Sequence, residues 1–424
     1  MNREISKCSR AELLECKAEL DRRYAGYVAE NLKLDMSRGK PSGAQLDLTN
    51  PVLDKLENYI TCDGIDARNY GGLDGIPEAR RLFSELLGID VDRIIIGGNS
   101  SLNLMYDAMM RLYVFGTGGH TPWRKLPVVK FLCPSPGYDR HFLVCEDLGI
   151  EMIPVPMTEN GPDMDTVEKL AAGDDAVKGI WCVPLYSNPQ GVCYSDETVD
   201  RLAAMKTAAP DFRIFWDNAY GVHHIYRECR LKDIFGACEA AGNPNRVLYF
   251  FSTSKITFPG AGVALIASSS ENLKEIRKHM SVQTIGHDKL NQLRTVRYLK
   301  DAEGVHQHMR LLANELRPKF DIVLNTLDKE LAGTGLAHWT KPLGGYFVSV
   351  DTPDGCAKAV VALAQQAGVK LTGAGATFPY KKDPRDRNIR IAPTYPTCEE
   401  LQKAMELFCV CVKLAGVNKL LETE

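Results

Sequence analysis

The hydrophobic positions of this 424-residue chain fall into seven short runs between residues 93 and 268. Each run is apolar without alternation, and helix-like stretches such as PEARRLFSELLG separate most of them. Strands of this kind are covered on both faces, which is typical of a mainly parallel sheet with helices on either side. The runs are RIIIGG (93–98), VVKFLC (128–133), IEMIPV (150–155), GIWCVPLY (179–186), FRIFWD (212–217), VLYFF (247–251) and GVALIAS (262–268).

Helical patterns flank this region. Residues 9–30 have helical periodicity and begin at a capping box formed by Ser9 and Glu12, and further helices are predicted around 271–281 and 289–328. The C-terminal part mixes the two kinds of element: a strand over 346–351, a helix over 355–368, a strand over 388–393, and a long helix after a second capping box, Thr397 with Glu400.

We therefore predict an α/β fold in which a large domain, residues 51–315, holds a mainly parallel seven-stranded sheet flanked by helices. Residues 316–424 are predicted to form a smaller α+β domain. Residues 1–50 would supply an N-terminal helix and segment that pack with the small domain.

Composition narrows the class of protein. The formal net charge of −3 provides no basic field, so nucleic acid and anionic membrane are poor partners. The charged N-terminus lacks the apolar core of a signal peptide, and no uninterrupted apolar run approaches the ~18 residues of a membrane span. We expect a cytoplasmic protein.

The thirteen cysteines are scattered and form no C-x-x-C pair. Because a cytosolic chain has no oxidising compartment to pair them, we expect buried free thiols at apolar positions such as Cys133 and Cys182. The adjacent His223 and His224 point in different directions in any regular element and have no carboxylate cluster nearby in the sequence. No metal site is predicted.

Polar residues follow five of the apolar runs, in GGNSS, PSPGY, YSNPQG, DNAY and STSK. These are the carboxyl ends of predicted strands, where the ligand crevice of an open α/β sheet lies. In GGNSSLNLMYD (97–107), a glycine-rich turn opens a helix, whose N-terminal N–H groups would hold a phosphate. An ordinary strand-to-helix turn is about as common at such a position.

Asp217 ends the run FRIFWD, where a buried carboxylate is costly without a partner. It is either an N-cap for a following helix or a counter-charge for a cationic ring nitrogen. In the second case Tyr220, and Asn188 from the preceding strand end, would donate to the same ligand.

Lys255 stands beside Ser252 and Ser254 at the end of VLYFF. It is either an ordinary strand-end lysine or the amine that forms a Schiff base with an aldehyde cofactor. Taken together, the phosphate turn, the buried carboxylate, the ring donors and the lysine describe a site for pyridoxal 5′-phosphate.

On these residues the sequence resembles the fold type I, class I pyridoxal-phosphate aminotransferases, and most closely the bacterial type Ic aspartate aminotransferases. The resemblance covers nearly the whole chain, and it implies a homodimer with active sites at the interface. The motifs that carry it, in order, are SRGKPS, NYGGLDGIPEAR, GGNSSLNLMYD, PSPGY, SNPQG, DNAY, STSK, GGYF and NIRIAP.

The resemblance implies a role for each matching residue. Lys255 would form the Schiff base, Asp217 would pair with the pyridine nitrogen, and Arg390 would grip the α-carboxylate of the substrate. Asn188 and Tyr220 would donate to the ring oxygen. The other implied contacts are stacking on the ring by Tyr138, phosphate contacts by Asn99, Ser100, Ser101, Ser252 and Ser254, a phosphate contact in the neighbouring subunit by Tyr70, and closure over the substrate by Gly39.

One feature departs from many class I enzymes, which place a phosphate-binding arginine shortly after the lysine. No arginine lies between Lys255 and Arg277. The type Ic pattern has similar text there, so the departure supports this subgroup. The phosphate would then be bound by hydroxyls and helix N–H groups, with or without a basic residue that the sequence does not identify.

We expect amino-group transfer between aspartate and 2-oxoglutarate by a ping-pong mechanism. The alternatives are an alanine- or aromatic-directed aminotransferase, a fold type I lyase and, from another class, the effector-sensing half of a transcription regulator. The candidate cations for the distal carboxylate of the substrate are Arg38, Lys40, Arg124, Lys125 and Arg140.

Overall fold

The structure, a computed structural model, describes residues 4–423, so residues 1–3 and 424 of the predicted terminal domains lie outside the described residues. Within residues 4–423 the strands are β1 (Leu34–Asp35), β2 (Ile94–Ile96), β3 (Lys130–Ser135), β4 (Glu151–Thr158), β5 (Gly161–Pro162), β6 (Val177–Cys182), β7 (Arg213–Asp217), β8 (Val247–Ser252), β9 (Ala264–Ser268), β10 (His338–Trp339), β11 (Val348–Asp351), β12 (Val369–Lys370) and β13 (Asn388–Ile391). The α-helices are α1 (Arg10–Glu30), α2 (Gly43–Asp47), α3 (Pro77–Leu87), α4 (Ser101–Phe115), α5 (Asp139–Asp147), α6 (Met164–Gly173), α7 (Asp196–Ala204), α8 (Ile234–Ala240), α9 (Ser270–Gln283), α10 (Lys289–Leu299), α11 (Ala302–Leu331), α12 (Ala357–Gln366) and α13 (Cys398–Thr423).

The largest sheet has the strand order β2-β9-β8-β7-β6-β3-β4-β5. All seven apolar runs form strands of this sheet, and neighbours from β8 to β4 pair in parallel. The predicted α/β fold with a mainly parallel sheet is therefore confirmed.

Two details of the sheet differ from the prediction. The two-residue β5 pairs antiparallel with β4 and adds an eighth strand, which is too short to produce an apolar run. Strand β9 runs antiparallel to both of its neighbours, β8 and β2. Continuous hydrophobicity indicates that both faces of a strand are covered, but it carries no information about direction.

Strand β7 shows how the core fixes the site. Ile214 and Trp216 belong to one apolar cluster, whereas Phe215 faces the other side of the sheet and belongs to a second. All three side chains are fully buried. Because burial of a large apolar side chain contributes about 1.5–3 kcal/mol, both helical layers hold this strand and therefore its last residue, Asp217, in place.

The N- and C-terminal segments pack together away from the large sheet. Strand β11 lies between β10 and β13 in an antiparallel sheet, and β1 pairs in parallel with β12. On α1, Leu13 and Leu20 share an apolar cluster with Val410 and Leu414 of α13. These contacts support the proposed association of the N-terminal helix with the small domain. The domain boundaries stay a prediction.

Both predicted capping boxes are formed. The Ser9 amide donates to the Glu12 carboxylate at 2.8 Å, and the Thr397 amide donates to the Glu400 carboxylate at 2.9 Å. They mark the starts of α1 and α13. Within the part of the chain that is described, no helix combines the length and apolarity needed to cross a membrane.

The helix predicted over 289–328 is two helices, α10 and α11. The chain turns between them at Lys300, which has a left-handed φ of 68°. Asp301 then caps α11 by accepting from the Gly304 amide at 2.7 Å. A Cβ on Gly304 would lie 1.8 Å from the carbonyl oxygen of Leu299, so only glycine permits this approach. The sequence DAEG is the capping signal that marks the break.

Candidate active site

Four neighbouring strands bring predicted site residues to one edge of the large sheet. In the order β8-β7-β6-β3, the carboxyl ends or the loops that follow them carry Lys255, Asp217, Asn188 and Tyr138. Because these four strands are parallel to one another, their carboxyl ends lie along the same edge. This edge is the predicted crevice.

Asp217 is the last residue of β7 and is buried. Its Oδ2 lies 3.0 Å from Nε2 of His141, whereas Oδ1 has no hydrogen-bond partner among residues 4–423. The next described helix, α8, begins only at Ile234, so the interpretation of Asp217 as an N-cap is wrong. The strand end holds a buried carboxylate with one oxygen available to a ligand.

His141 belongs to the site although it was not predicted. It lies on the first turn of α5 and stacks on Trp181, with ring centroids 4.3 Å apart. Tyr138 meets the same imidazole edge-on at 4.9 Å. The two residues are three positions apart at the start of α5, a spacing that brings side chains together on a helix.

Lys255 lies in the connection between β8 and β9 and is half-buried. Its Nζ is 4.9 Å from the centre of the Tyr220 ring and 5.9 Å from that of Tyr346. Burial lowers the pKa of the Lys255 amine, and the Asp217 carboxylate offsets part of that effect. Burial also raises the pKa of the phenols of Tyr220 and Tyr138, so both keep their protons and can donate hydrogen bonds.

The predicted phosphate cradle consists of two turns that lie side by side. Ser100 is the N-cap of α4 and Ser101 is its first residue. Ser252 Oγ donates to Ser254 Oγ at 3.1 Å, and Ser254 Oγ lies 3.4 Å from the Asn99 carbonyl oxygen. The structure thus places the predicted hydroxyl groups next to a helix N-terminus, where N–H groups and the helix dipole favour an anion.

In the segment after Lys255, Gly262 lies directly against this cradle. A Cβ on Gly262 would lie 2.9 Å from the carbonyl oxygen of Asn99 and 3.3 Å from Ser254 Oγ. Arg277 is engaged elsewhere, because its Nε donates to both carboxylate oxygens of Asp74 at 2.9 and 3.1 Å.

Arg390 lies on β13 and is buried. Its Nη1 donates to Asp139 Oδ1 at 3.1 Å and to Asn188 Oδ1 at 3.2 Å, and its guanidinium carbon is 4.7 Å from the centre of the Phe347 ring. Its Nε has no partner among the residues described. A buried guanidinium with an N–H group to spare suits a carboxylate ligand. Because Asn188 Oδ1 accepts from Arg390, the amide N–H groups are what Asn188 can offer to a ligand.

Gly39 lies directly against Phe347, the ring that covers Arg390. A Cβ at position 39 would be 2.4 Å from Cζ of that ring, so the approach requires glycine. The hydroxyl of Thr394 donates to the carbonyl oxygen of Lys40 at 2.8 Å and holds the same segment. The structure therefore brings Gly39 to the arginine side of the crevice.

The five candidate cations for a distal carboxylate lie in three places. Arg124 and Lys125 precede β3 and lie at its amino end, across the sheet from the crevice. Arg38 and Lys40 flank the glycine that contacts Phe347. Arg140 lies on the first turn of α5 and lines a surface groove together with acidic side chains. The position of the first pair removes it from consideration.

Tyr70 does not join the other predicted residues, because its side chain is 82% exposed. The loop that carries it is held by a lysine that was not predicted. Lys289 Nζ donates to the carbonyl oxygens of Asn69 at 2.7 Å and Gly71 at 2.6 Å. An exposed tyrosine on an anchored loop is available to a neighbouring chain.

The histidines and cysteines have separate partners. His223 Nε2 lies 3.3 Å from the carbonyl oxygen of Lys255, and His224 Nδ1 lies 2.6 Å from the Tyr186 hydroxyl. Cys133 and Cys182 are buried free thiols, as predicted. Among the described residues, no group of three or more His, Cys, Asp and Glu side chains is arranged to hold a metal ion.

Comparison with known proteins agrees with this geometry. The family described as aspartate amino-transferase matches residues 8–424. An aspartate aminotransferase from Corynebacterium glutamicum is 49% identical over 404 residues, which cover 94% of this chain and 93% of that protein. A crystal structure of an aspartate transaminase from the same organism superposes with a TM-score of 0.96 at 46% identity, and covers 99% of this chain and 100% of that one.

A more distant structure shares the fold and contains a phosphopyridoxyl compound. The α-aminoadipate aminotransferase of Thermus thermophilus, complexed with N-(5′-phosphopyridoxyl)-L-leucine, has a TM-score of 0.73 at 21% identity and covers 94% of this chain and 98% of that one. The chain therefore belongs to the aspartate aminotransferase family, and it is a fold type I aminotransferase that uses pyridoxal 5′-phosphate.

Proposed function

We propose that this protein transfers an amino group between aspartate and 2-oxoglutarate by a ping-pong mechanism in which Lys255 forms a Schiff base with the cofactor. One observation carries the proposal: two buried groups of opposite charge in the crevice each keep an atom without a partner among residues 4–423. These atoms are Asp217 Oδ1 and Arg390 Nε. A buried polar atom without a hydrogen-bond partner costs free energy unless a ligand supplies that partner. The Asp217 oxygen suits a cationic ring nitrogen, and the Arg390 N–H group suits a carboxylate.

The residues present fit pyridoxal 5′-phosphate. Asp217 would hold a proton on the ring nitrogen, and His141 would keep the carboxylate in place through the 3.0 Å contact at Oδ2. The amide of Asn188 and the hydroxyl of Tyr220 would donate to the ring oxygen, and Tyr138 would cover the ring. Asn99, Ser100, Ser101, Ser252 and Ser254 would surround the phosphate at the N-terminus of α4.

When bound, this cofactor supplies an electron sink for the charge that develops at the α-carbon of the amino acid. The proton that leaves the α-carbon needs a base, and the Lys255 amine is suited to this task because burial lowers its pKa. The same amine would deliver the proton to the cofactor carbon that bears the substrate nitrogen, and water would then release the 2-oxo acid and leave the amino group on the cofactor. Since a single crevice serves donor and acceptor in turn, ping-pong kinetics follow.

The substrate assignment is supported by the buried Arg390, which suits a carboxylate, and by the 49% identical relative named aspartate aminotransferase. Arg390 would bind the α-carboxylate through its unpartnered Nε. Of the remaining cations, Arg38 and Lys40 are the better candidates for the distal carboxylate, because Gly39 between them contacts the Phe347 ring that covers Arg390.

We further propose a homodimer in which Tyr70 reaches the phosphate of the partner's site. The exposure of this tyrosine on a loop anchored by Lys289 supports the assignment. Sedimentation analysis would give a mass of about twice that of one chain.

A spectroscopic titration tests the function. The enzyme loaded with cofactor is mixed with aspartate, alanine, phenylalanine or a β-substituted amino acid, and the loss of visible absorbance is followed. We expect rapid loss with aspartate and recovery on addition of 2-oxoglutarate. Rapid reaction with alanine or phenylalanine alone would support the rival specificities, and release of pyruvate and ammonia without an acceptor would indicate a lyase. Lys255→Ala should lose both the visible band and nearly all turnover.

A further inference from the structure

Two buried histidines from different parts of the chain contact consecutive carbonyl groups of the turn that carries Lys255. His223 Nε2 lies 3.3 Å from the carbonyl oxygen of Lys255, and His308 Nε2 lies 2.7 Å from that of Ile256. We propose that His223 and His308, the histidine pair, are positioning residues that fix the Lys255 backbone and so aim its amine into the crevice. The inference rests on the proposed function of Lys255.

The chemistry of the contacts assigns the protons. A carbonyl oxygen only accepts, so each Nε2 must carry the hydrogen and donate. Burial lowers the pKa of both imidazoles, and the charge of Lys255 lowers that of His223 further, to about 3. Both rings are therefore neutral near pH 7, each with the hydrogen on Nε2 and a lone pair on Nδ1.

His308 is itself held from two other segments. Its Nε2 is 3.3 Å from Thr49 Oγ1, and its Nδ1 is 3.1 Å from the hydroxyl of Tyr298 on α10. That hydroxyl also lies 2.9 Å from the carbonyl oxygen of Leu48. The imidazole on α11 thus joins the N-terminal segment and α10 to the turn after β8.

His223 is held by ring packing, because its Nδ1 has no hydrogen-bond partner among the described residues. Its ring meets those of Tyr220 at 5.6 Å and Tyr346 at 5.7 Å, both nearly perpendicular. Its own carbonyl accepts from the Gly345 amide at 2.9 Å, and a Cβ on Gly344 would lie 2.2 Å from that oxygen. The imidazole therefore cannot shift without moving the rings next to Lys255.

Hydrogen bonds within the Lys255 turn fix its shape, and others tie its first residue, Thr253, to the segment that leads into β9. Within the turn, the amides of Ile256 and Thr257 donate to the carbonyl oxygen of Thr253 at 2.9 and 2.8 Å. The Thr253 amide donates to the Val263 carbonyl oxygen at 2.9 Å, which holds the start of the turn but does not contact the carbonyl groups of Lys255 and Ile256. The histidine pair contacts these two carbonyl groups from elements outside the turn, and the Tyr346 hydroxyl lies 3.5 Å from the Lys255 carbonyl oxygen beside His223. Since the amine stands on a flexible four-carbon chain, the position of its backbone limits which atoms it reaches.

The alternative is that the two histidines only satisfy buried carbonyl groups as part of the core. Glutamine and leucine substitutions separate the two roles. His308→Gln and His223→Gln keep an N–H donor near the place of Nε2, whereas His308→Leu and His223→Leu remove it. His224→Leu is the matched control, because its described imidazole contact is with the Tyr186 hydroxyl rather than with the turn.

Three measurements are made on each cofactor-loaded variant: thermal unfolding, kcat and KM for aspartate, and the pH midpoint of the visible absorbance without substrate. We expect the leucine variants to lose about 10- to 100-fold in kcat with KM changed by less than about threefold. Their absorbance midpoint should move by at least about 0.3 pH unit, because it reports the surroundings of the Lys255 nitrogen. The glutamine variants and His224→Leu should stay close to the unchanged protein in all three measurements.

The proposal is overturned if leucine and glutamine variants behave alike, or if activity falls only in step with unfolding while the absorbance midpoint stays fixed. Should a leucine variant not fold, Tyr298→Phe provides a milder test, because it removes the hydroxyl that holds His308 Nδ1. An unmoved midpoint and unchanged kcat in that variant would also count against the pair.

Failure of the proposed function gives a different result. If the unchanged protein binds the cofactor but does not react with aspartate, the substrate assignment is wrong, and the absorbance midpoints still test the histidine pair. If Lys255→Ala keeps the visible band, the role of Lys255 itself is wrong.

Discussion

The two ends of the central strand β7 each hold a buried aspartate, and they differ in how completely that carboxylate is satisfied. At the amino end, Asp211 accepts from Lys178 Nζ at 2.8 Å through one oxygen and from the Trp123 indole at 2.8 Å through the other. At the carboxyl end, Asp217 contacts His141 through one oxygen, and the other has no partner among residues 4–423.

The lysines at the two ends differ in the same way. Lys178 is paired, whereas Lys255 lies over the ring of Tyr220 and has no carboxylate within ion-pair distance in the described chain. Both sites carry similar residues at the edges of one sheet. The comparison indicates that a complete set of partners is the mark of a structural pair, and an incomplete set is the mark of a binding site.

Removing the cation that pairs with Asp211 should give the largest effect on stability. Lys178→Met leaves Asp211 buried without its cation, which costs about 3–5 kcal/mol for a buried pair. Urea unfolding should show this loss, while the kcat of molecules that remain folded should be nearly unchanged.

The double variant Lys178→Met with Asp211→Asn sharpens the test. It removes both charges and keeps an acceptor for the Trp123 indole, so it should recover much of the lost stability. If the double variant is no more stable than Lys178→Met, the charge pair is not the source of the effect.

A substitution at Asp217, at the carboxyl end of β7, should affect catalysis rather than stability. Asp217→Asn keeps an acceptor for His141 but removes the negative charge beside the cofactor ring, so kcat should fall by about 10²- to 10³-fold. Unfolding in urea should change little, since the substitution removes a charge that was only partly satisfied. Asp92→Asn, at an exposed carboxylate, is the control. A large loss of stability together with normal turnover would reverse the distinction between the two ends.

The sequence predicts which residues lie at the strand ends better than it predicts the contacts that these residues make. The seven apolar runs locate the strands, and the polar residues that follow the runs include Asp217, Asn188 and Lys255. These residues come together because parallel strands of an α/β sheet have their carboxyl ends at one edge. The eighth strand and the direction of β9 were not predicted, since neither leaves a mark in the hydrophobic pattern.

Residues that act through tertiary contacts were missed for the same reason. His308 is 52 positions from Ile256, and His141 is 76 positions from Asp217. The sequence spacing of such pairs does not indicate that the two residues are in contact. The resemblance to a family supplied Arg390, but its contact with Asn188 depends on how the small sheet packs against the large one.

A smaller effect is expected on the pH dependence of the free energy of unfolding, through His223 beside the Lys255 turn. The pKa of His223 is lowered to about 3 by burial and by the charge of Lys255, against an ordinary value of 6.5. Between these values the unfolded chain binds more protons than the folded one, so the free energy of unfolding falls as the pH falls below 6.5. At pH 5 the loss from this one group is about 2 kcal/mol, and it is complete only near pH 3.

His223→Gln removes the titrating group while keeping an N–H donor for the Lys255 carbonyl. Its free energy of unfolding, measured in urea from pH 7 to pH 4.5, should therefore fall less steeply than that of the unchanged protein. His120→Gln, at an exposed histidine, should follow the unchanged protein. If the free energy of unfolding fell equally steeply with pH in all three proteins, His223 would not be held neutral in the folded state. Incomplete satisfaction of buried polar groups at the carboxyl end would then not include this imidazole.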